Sequence, residues 1–454
     1  MSKPTLAIIG SGWSGYTLSQ KVSPALYNIV VISPIRTIQY TPLLASAAAG
    51  LFNFRLAEEP IRRKTRNSVK YYKAIATSIN LDRRTLACET VGGIHNNDSD
   101  AGQLESSKEK QGDKIATTIK EHFEVSYDEL CFAPGCSIQT FGTPGALENA
   151  LFLKTTDDAR KIQQRLLEIL DMASLPTMTE QAQRDLLSIR IVGGGAIGIE
   201  AAAELYDLWH EDMRHLYAHL DGKVTITIHD VAPKLLGTFD QSLSEYAMES
   251  MKEKSIEMKT SSHIERVEPD AIFTKEDGRL PFGMLIWATG NAANPLVEQL
   301  PVKKPENGLP RVLTDHRLRM LRPDGSPIEG AYALGDAADV EGESLPTLAE
   351  VALQKSEYLV QMLNRKGKAR EANAGAMVRN EDVVPPFQYK QRALLAYLGQ
   401  RDGIIGGRED WTGNSAWLAW RSGSLGWTRS WRRKIMIVIS WVFIWIDGRD
   451  IARR

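Results

Sequence analysis

The stretch Thr5–Gly15 reads TLAIIGSGWSG, a short apolar run that passes directly into glycines at positions 10, 12 and 15. An apolar run bounded by glycine is the pattern of a buried strand. Helical spacing then continues to about Lys21, before a second apolar run, Asn28–Ser33 (NIVVIS). Strand, helix and strand in so few residues predict a parallel βαβ unit. Small residues at Gly10, Gly12 and Gly15 permit a tight turn and close backbone approach, and the unpaired N–H groups and positive dipole at the start of the helix suit a pyrophosphate. A plain glycine-rich turn has the same letters. The second strand ends in Ser33, where an Asp or Glu usually receives a ribose.

The pattern recurs downstream. Ile189–Glu200 (IRIVGGGAIGIE) places Gly193, Gly195 and Gly198 at the same spacing, and the strand after its helix, Val224–Asp230 (VTITIHD), ends in an acid. A carboxylate there accepts both hydroxyls of an NAD-type ribose and repels the 2′-phosphate of NADP, so NADH is the expected nucleotide. Two such motifs in one chain predict two cofactors in two Rossmann-like domains, the layout of a flavin reductase. Leu285–Asn291 (LIWATGN) reads as a buried strand turning sharply at Thr289 and Gly290, and Ala331–Asp339 (AYALGDAAD) puts Asp336 directly after a strand and Gly335.

At 454 residues the chain needs several cores, and with 43% hydrophobic and 24% charged residues its composition is that of a globular α/β protein. The formal net charge of −1 offers no global field for nucleic acid, and none is expected as a partner. Three cysteines fall short of an iron–sulfur cluster, so redox chemistry requires an organic cofactor. His215 and His219 lie four apart on an expected helix, Leu208–Leu220, but lack the HExxH pattern, and no metal is expected. His95–Lys114 reads as a polar surface loop and Asn364–Pro386 as a polar connector. The first core-like run begins close to Met1, so no secretory or transit peptide is expected, which leaves a cytoplasmic location open.

Taken together, several segments resemble the type II (alternative, non-proton-pumping) NADH:ubiquinone oxidoreductases, especially the fungal ones. They are Val30–Gly50, Thr140–Gly145 (TFGTPG), the second glycine motif with its helix, the ATG and GD turns, Leu345–Leu359, Tyr397–Gly399 and Trp445–Arg454. The resemblance implies a two-dinucleotide-binding flavoprotein that passes two electrons from NADH through FAD to a quinone. Disulfide exchange is not expected, because Tyr40–Gly50 (YTPLLASAAAG) has no redox cysteine pair, and Cys131 and Cys136 read as structural. By the resemblance, Gly10, Gly12, Gly15, Ser33, Thr41 and Asp336 hold non-covalent FAD. Gly193, Gly195, Gly198, Asp230, Thr289 and Gly290 serve the nicotinamide nucleotide, and Glu200 sits close to the nicotinamide. Glu350 and Gln354 fall on the family's quinone motif, where this chain has AEVALQ instead of AQxAxQ. The implied domains are 1–154 with 306–385 for FAD, 155–305 for NADH, and a membrane module from 386 to 454. The resemblance also implies the mitochondrial inner membrane. A soluble oxidoreductase of the apoptosis-inducing-factor-like branch, with oxygen or a protein as acceptor, is the alternative.

The downstream segment can be read by itself. Seven of the ten tryptophans follow Glu409, and from Arg421 to Arg454 eight basic residues face two acidic ones. That mixture suits a helix lying among lipid headgroups. The twelve-residue run Ile435–Ile446 reaches only about 18 Å as a helix and does not cross a core of about 30 Å. A buried core element or a homodimer contact has the same composition.

Overall fold

The computed structural model describes residues 3–63, 68–91, 120–372, 384–407, 410–449 and 451. The expected loop His95–Lys114 and residues 373–383 of the expected connector lie outside the described residues. The chain divides into two compact units, one of Met1–Ile38, Pro60–Ser137 and Ala293–Tyr389, the other of Gln39–Glu59, Ile138–Ala292 and Lys390–Arg454.

In the first unit TLAII is a strand, Thr5–Ile9, whose residues from Leu6 onward are buried. It lies parallel to Asn28–Ser33 on one side, with Ile8 opposite Val31, and to Glu129–Phe132 on the other, with Ile8 opposite Cys131. Lys70–Asn80 and Pro327–Ala333 extend the parallel run outward within a ten-stranded sheet. A strand covered on both faces needs apolar residues at every position, which explains a continuous run instead of an alternation. The helix Trp13–Lys21 makes the first crossover.

The helix Ala349–Ala372 is longer than the sequence suggested, because Asn364–Ala372 continues it where a polar connector was expected. Its lysines, arginines, alanine and glutamate are good helix formers. Packing settles the matter: Gly367 lies so close to Leu26 that a Cβ would come within 3.0 Å of that side chain, and Asn364 Oδ1 accepts the Ser23 N–H at 2.8 Å.

The second unit holds a five-stranded parallel sheet in the order Leu151–Phe152, Met284–Trp287, Ser188–Val192, Thr225–His229, Glu257–Lys259. The helix Ala196–Leu208 leaves Ser188–Val192 at the second glycine motif. The single helix expected over Leu208–Leu220 is a correction. A π-helical turn, Trp209–Met213, is followed by the short turns Arg214–Leu216 and Ala218–Leu220, separated by Tyr217 at φ −115° and ψ 47°. That non-helical residue puts His215 and His219 on different turns; His219 Nε2 contacts Ser174 Oγ at 2.9 Å. The downstream segment adds a three-stranded antiparallel sheet (Leu394–Gly399, Asp402–Gly406, Trp411–Thr412) and the helices Gly413–Trp427 and Trp431–Asp447. Leu394–Gly399 packs on the helix Ala196–Leu208.

Candidate functional site

Each unit builds its glycine motif in the same way. In the first, Gly10 has φ +98° and a Cβ there would fall 2.1 Å from the Ala133 carbonyl oxygen; a Cβ on Gly15 would fall 2.0 Å from the Gly10 oxygen. Only hydrogen fits at either position. In the second, Gly193 has φ +112° with Ala288 O at 2.5 Å from its virtual Cβ, and Gly198 meets the Gly193 oxygen at 1.9 Å. The middle glycines differ from these. A Cβ on Gly12 or Gly195 meets nothing within 4 Å, and both are N-caps of their helices without a side-chain cap. First and third glycines thus close strand against helix, while the middle one opens the helix N-terminus to a ligand whose negative charge its N–H groups and dipole favour.

In the first unit the GD turn reaches that opening. Gly335, at φ +68°, comes within 3.2 Å (measured from its virtual Cβ) of Ser14 Oγ, on the second residue of the glycine-motif helix. Asp336 follows, partly exposed, and its carbonyl accepts the Cys136 thiol at 3.3 Å. Ser14 Oγ also lies 3.4 Å from the Ala352 carbonyl, so the start of Ala349–Ala372 joins the same corner. On that helix Gln354 Nε2 donates to Glu350 Oε1 at 2.7 Å, so the carboxylate that breaks the family pattern is paired with the glutamine that keeps it. Ser33 is buried; its hydroxyl donates to Ser11 Oγ at 2.9 Å and braces the loop after the strand. Thr41 lies exposed in the second unit, at the start of the short turn Thr41–Leu43.

The second unit brings Asp230 and Thr289 to its motif, and Gly290 follows Thr289 as an exposed residue. Asp230 Oδ2 accepts the Gly194 N–H at 2.5 Å and Oδ1 the Ala232 N–H at 2.8 Å, which fixes the carboxylate beside the glycine loop. Behind it, buried His229 touches Arg190 NH1 at 3.1 Å and Ser262 Oγ at 3.0 Å; burial, with the Arg190 charge, pushes the imidazole down to about 4. A neutral His229 therefore supports the strand end. Thr289 begins where Gly193 closes on the next strand, its N lying 2.9 Å from the virtual Cβ of Gly193, and its hydroxyl donates to the Gln139 carbonyl.

Glu200 projects from Ala196–Leu208 beyond the motif. Trp420 Nε1 donates to its Oε1 at 3.0 Å and the Tyr397 N–H at 3.3 Å. Burial lifts the carboxyl to about 8, with both hydrogen bonds opposing the rise. Sequence reasoning missed Tyr397 and Trp420 as its partners, together with the further acids Glu204 and Asp207. A signal existed: in an alanine-rich run, IEAAAELYD, acids at spacings of four and three share one helix face.

The sequence profile of the pyridine nucleotide-disulphide oxidoreductases matches residues 4–356. A probable NADH dehydrogenase of Dictyostelium discoideum is 33% identical over 450 residues, covering 98% of this chain and 90% of that one. The mitochondrial internal alternative NAD(P)H-ubiquinone oxidoreductase A1 of Solanum tuberosum is 31% identical, with 99% and 88% covered. Among solved structures, NDH2 from Plasmodium falciparum in complex with NADH superposes with a TM-score of 0.84 at 21% identity, covering 100% of both chains. The sulfide:quinone oxidoreductase of Aquifex aeolicus gives 0.65 at 15% identity, with 98% and 96% covered.

Proposed function

We propose a residue-level account of an activity whose family is settled: the chain belongs to the pyridine nucleotide-disulphide oxidoreductases and, within them, to the alternative, non-proton-pumping NADH–ubiquinone oxidoreductases. It transfers electrons from NADH to a quinone. The observation that carries the assignment of residues is the paired cradle. Two helix N-termini open at Gly12 and Gly195, one beside Asp336 and the other beside Asp230.

The groups around Gly12 fit a flavin dinucleotide. The opening suits a pyrophosphate, and Asp336, one residue past the Gly335 turn, supplies a carboxylate that would accept hydroxyls of a ribityl chain. Gly10, Gly12, Gly15, Ser33, Thr41 and Asp336 are the proposed FAD residues. Gly193, Gly195, Gly198, Asp230, Thr289 and Gly290 are those for NADH. Bound FAD supplies the two-electron relay between hydride donor and quinone. The chain's own contribution is to bind, orient and handle protons. Asp230, held by two backbone N–H groups, presents a fixed negative charge that accepts ribose hydroxyls and repels a 2′-phosphate. Glu200 holds a proton near neutral pH beside the nicotinamide. Gln354 and Glu350 offer an amide and a carboxylate to the quinone head group. The corresponding division is 1–154 with 306–385 for FAD, 155–305 for NADH and 386–454 for the membrane.

Among the described residues no helix is long and apolar enough to cross a membrane. The helix Trp431–Asp447 exposes large apolar side chains, with Trp431 at 75%, Phe443 at 64%, Trp445 at 82% and Ile446 at 68% of their surface, next to Arg432, Arg433 and Lys434. Aromatic and aliphatic groups beside a basic run favour a peripheral seat on an anionic membrane surface. For a chain with mitochondrial relatives this is the inner mitochondrial membrane.

Purified protein carrying one non-covalent FAD per chain, and reducing decylubiquinone with NADH, is the expected result. Colourless protein, or flavin in the second cradle, overturns the assignment. Trp445→Glu with Phe443→Glu is expected to release the protein from cardiolipin-containing vesicles. Retained vesicle binding, or a dimer in the native protein that dissociates in the variant, assigns that face to another surface.

A further inference from the structure

The helix Ala349–Ala372 carries Lys355 directly after Gln354, and Lys355 is wholly buried, at 0% exposure. Lysine seldom occupies such a position, because taking an ammonium out of water is costly unless it is paired and hydrogen-bonded. Its Nζ lies 3.3 Å from the Ala338 carbonyl and 4.0 Å from Asp339 Oδ1, both on the strand Ala338–Val340. Asp339, itself buried, is already engaged: Oδ2 accepts from Arg311 NH2, and Oδ1 accepts the Val340 N–H at 3.0 Å and the Leu345 N–H at 3.3 Å. Arg311 NH1 donates to the Leu345 carbonyl at 2.9 Å, whereas its Nε is buried with no acceptor among the described residues. Two cations therefore share one buried carboxylate. The cluster holds more donors than acceptors and one positive charge in excess.

The place of that charge is specific. Ala338 follows Asp336 by two residues, and three residues before Lys355 the Ala352 carbonyl lies 3.4 Å from Ser14 Oγ on the first glycine-motif helix. Gly335 closes on the same hydroxyl. The GD turn, the glycine-motif helix and the start of Ala349–Ala372 thus meet one turn before Lys355, all within the first unit. The charged groups that face the ammonium are Asp339 from its strand, Asp336 from the turn before it, Arg311 from the segment entering Val312–Thr314, and Glu343 beyond the strand. Glu343 is drawn to His316 at 3.7 Å and Asp336 is partly exposed, so water screens both more than it screens Asp339. A linear apolar side chain such as methionine fills the same length without the cost of a buried charge, so stability alone gives no reason for a lysine here.

We infer that Lys355, held by Asp339 and Arg311, is a positioning residue whose buried positive charge raises the reduction potential of the flavin bound at Gly12 and Asp336. The inference rests on the reading of that cradle as the FAD site. Charge balance supplies the reason. NADH gives up a hydride, two electrons with one proton, and leaves as NAD⁺, so the flavin that receives it becomes one charge more negative until the quinone takes the electron pair. An uncompensated cation beside the GD turn favours that added charge, and in a protein interior it is weakly screened. Unit charges about 10 Å apart at an effective dielectric constant of about 20 attract by roughly a factor of ten in an equilibrium constant, which sets the scale expected here. Burial brings the Lys355 ammonium down to about 8 against the pull of Asp339, so the charge is present at neutral pH and is withdrawn as pH rises through about 8. The added negative charge in turn tightens the hold of Lys355 on its proton, so near that pH reduction draws in part of an extra proton.

The test uses the full-length, FAD-loaded protein and reads the flavin midpoint potential by equilibration with reference dyes, which needs neither quinone nor turnover. At about pH 6.5, Lys355→Met is expected to lower the potential by about 30 mV, the equivalent of a tenfold weaker stabilisation of the reduced form for a two-electron couple. Lys355→Arg keeps the charge and is expected to hold that stabilisation within about twofold of native. Between about pH 7 and pH 9 the native potential falls more steeply than that of either variant, because only lysine titrates there. Should Lys355→Met fail to retain flavin, the native and Lys355→Arg slopes decide alone. An unchanged potential in flavin-loaded Lys355→Met, or equal slopes in native protein and Lys355→Arg, overturns the inference. An equal fall in Lys355→Met and Lys355→Arg does so as well, since it assigns the effect to packing instead of charge. Native protein that purifies without FAD defeats the cradle reading itself, a result independent of the variants.

Discussion

Glu204→Gln has a consequence for stability that can be worked out from its surroundings. Burial raises the Glu204 carboxyl from 4.5 to about 7, despite the opposing charges of Arg449 and Arg421 and the Ser46 hydrogen bond. A group whose pKa is higher in the folded state than in the unfolded one binds an extra proton on folding between those two values. Its contribution is therefore complete below about 4.5 and is lost as pH rises through about 7. At about 1.4 kcal/mol per unit the window spans on the order of 3 kcal/mol, an upper bound because Glu200 and Asp207 titrate alongside. Glutamine is neutral, matches the shape and still accepts from Ser46, and Arg449 keeps Glu211 and Asp212. The variant should therefore lose the pH dependence that this carboxyl supplies. Denaturant unfolding at about pH 5 and pH 8 is the assay: native protein loses stability towards pH 8, and Glu204→Gln loses less, by about 1 to 3 kcal/mol. A variant with the same slope as native protein, or a steeper one, refutes the claim that this buried carboxyl is protonated in the folded state.

Three further outcomes follow from individual contacts. Gly15→Ala puts a methyl group 2.0 Å from the Gly10 oxygen, so the protein should purify with little flavin and a lowered Tm, read by absorbance and calorimetry. Asp230→Ser removes the carboxylate beside Gly194, and the preference for NADH over NADPH should shrink by about tenfold in kcat/KM, measured with both nucleotides. Trp420→Phe deletes the indole N–H that holds the Glu200 pKa down, so the alkaline limb of the quinone-reduction profile should move upward by about a unit; a downward shift contradicts the hydrogen-bond geometry.

How much was legible in the sequence differs between the two ends of each motif. TLAIIG and IRIVGGG announced their strands because parallel strands covered on both faces admit only apolar residues, and the glycines announced the turns because backbone approach leaves no room for a Cβ. The fold class and the positions of Gly10, Gly193 and Asp230 could therefore be read directly. The surroundings of Glu200 could not. Its partners come from residue 397 and residue 420, far along the chain, and hydrophobic periodicity records which face is buried, not what covers it. The long-helix expectation over Leu208–Leu220 failed for a related reason: the π-turn that aims Glu211 and Asp212 at Arg449 serves a long-range contact that local spacing does not encode. Gly367 gave no signal within the expected polar connector, although it is where the helix comes close to Leu26.

The second unit draws its interior from three stretches, Gln39–Glu59, Ile138–Ala292 and Lys390–Arg454, and the acids of Ala196–Leu208 find partners in the first and the last. During synthesis that helix emerges roughly two hundred residues before Tyr397 and Trp420 exist to cover it. Until then Glu200, Glu204 and Asp207 face water, ionised and mutually repelling, so the nascent unit resists premature closure. Arrival of the late segment converts an acidic surface into a protonated interior. Contacts so distant in sequence make folding slow, and the acids keep the waiting intermediate soluble. The acids buried in the finished unit are thus the groups left uncovered until its last segment arrives.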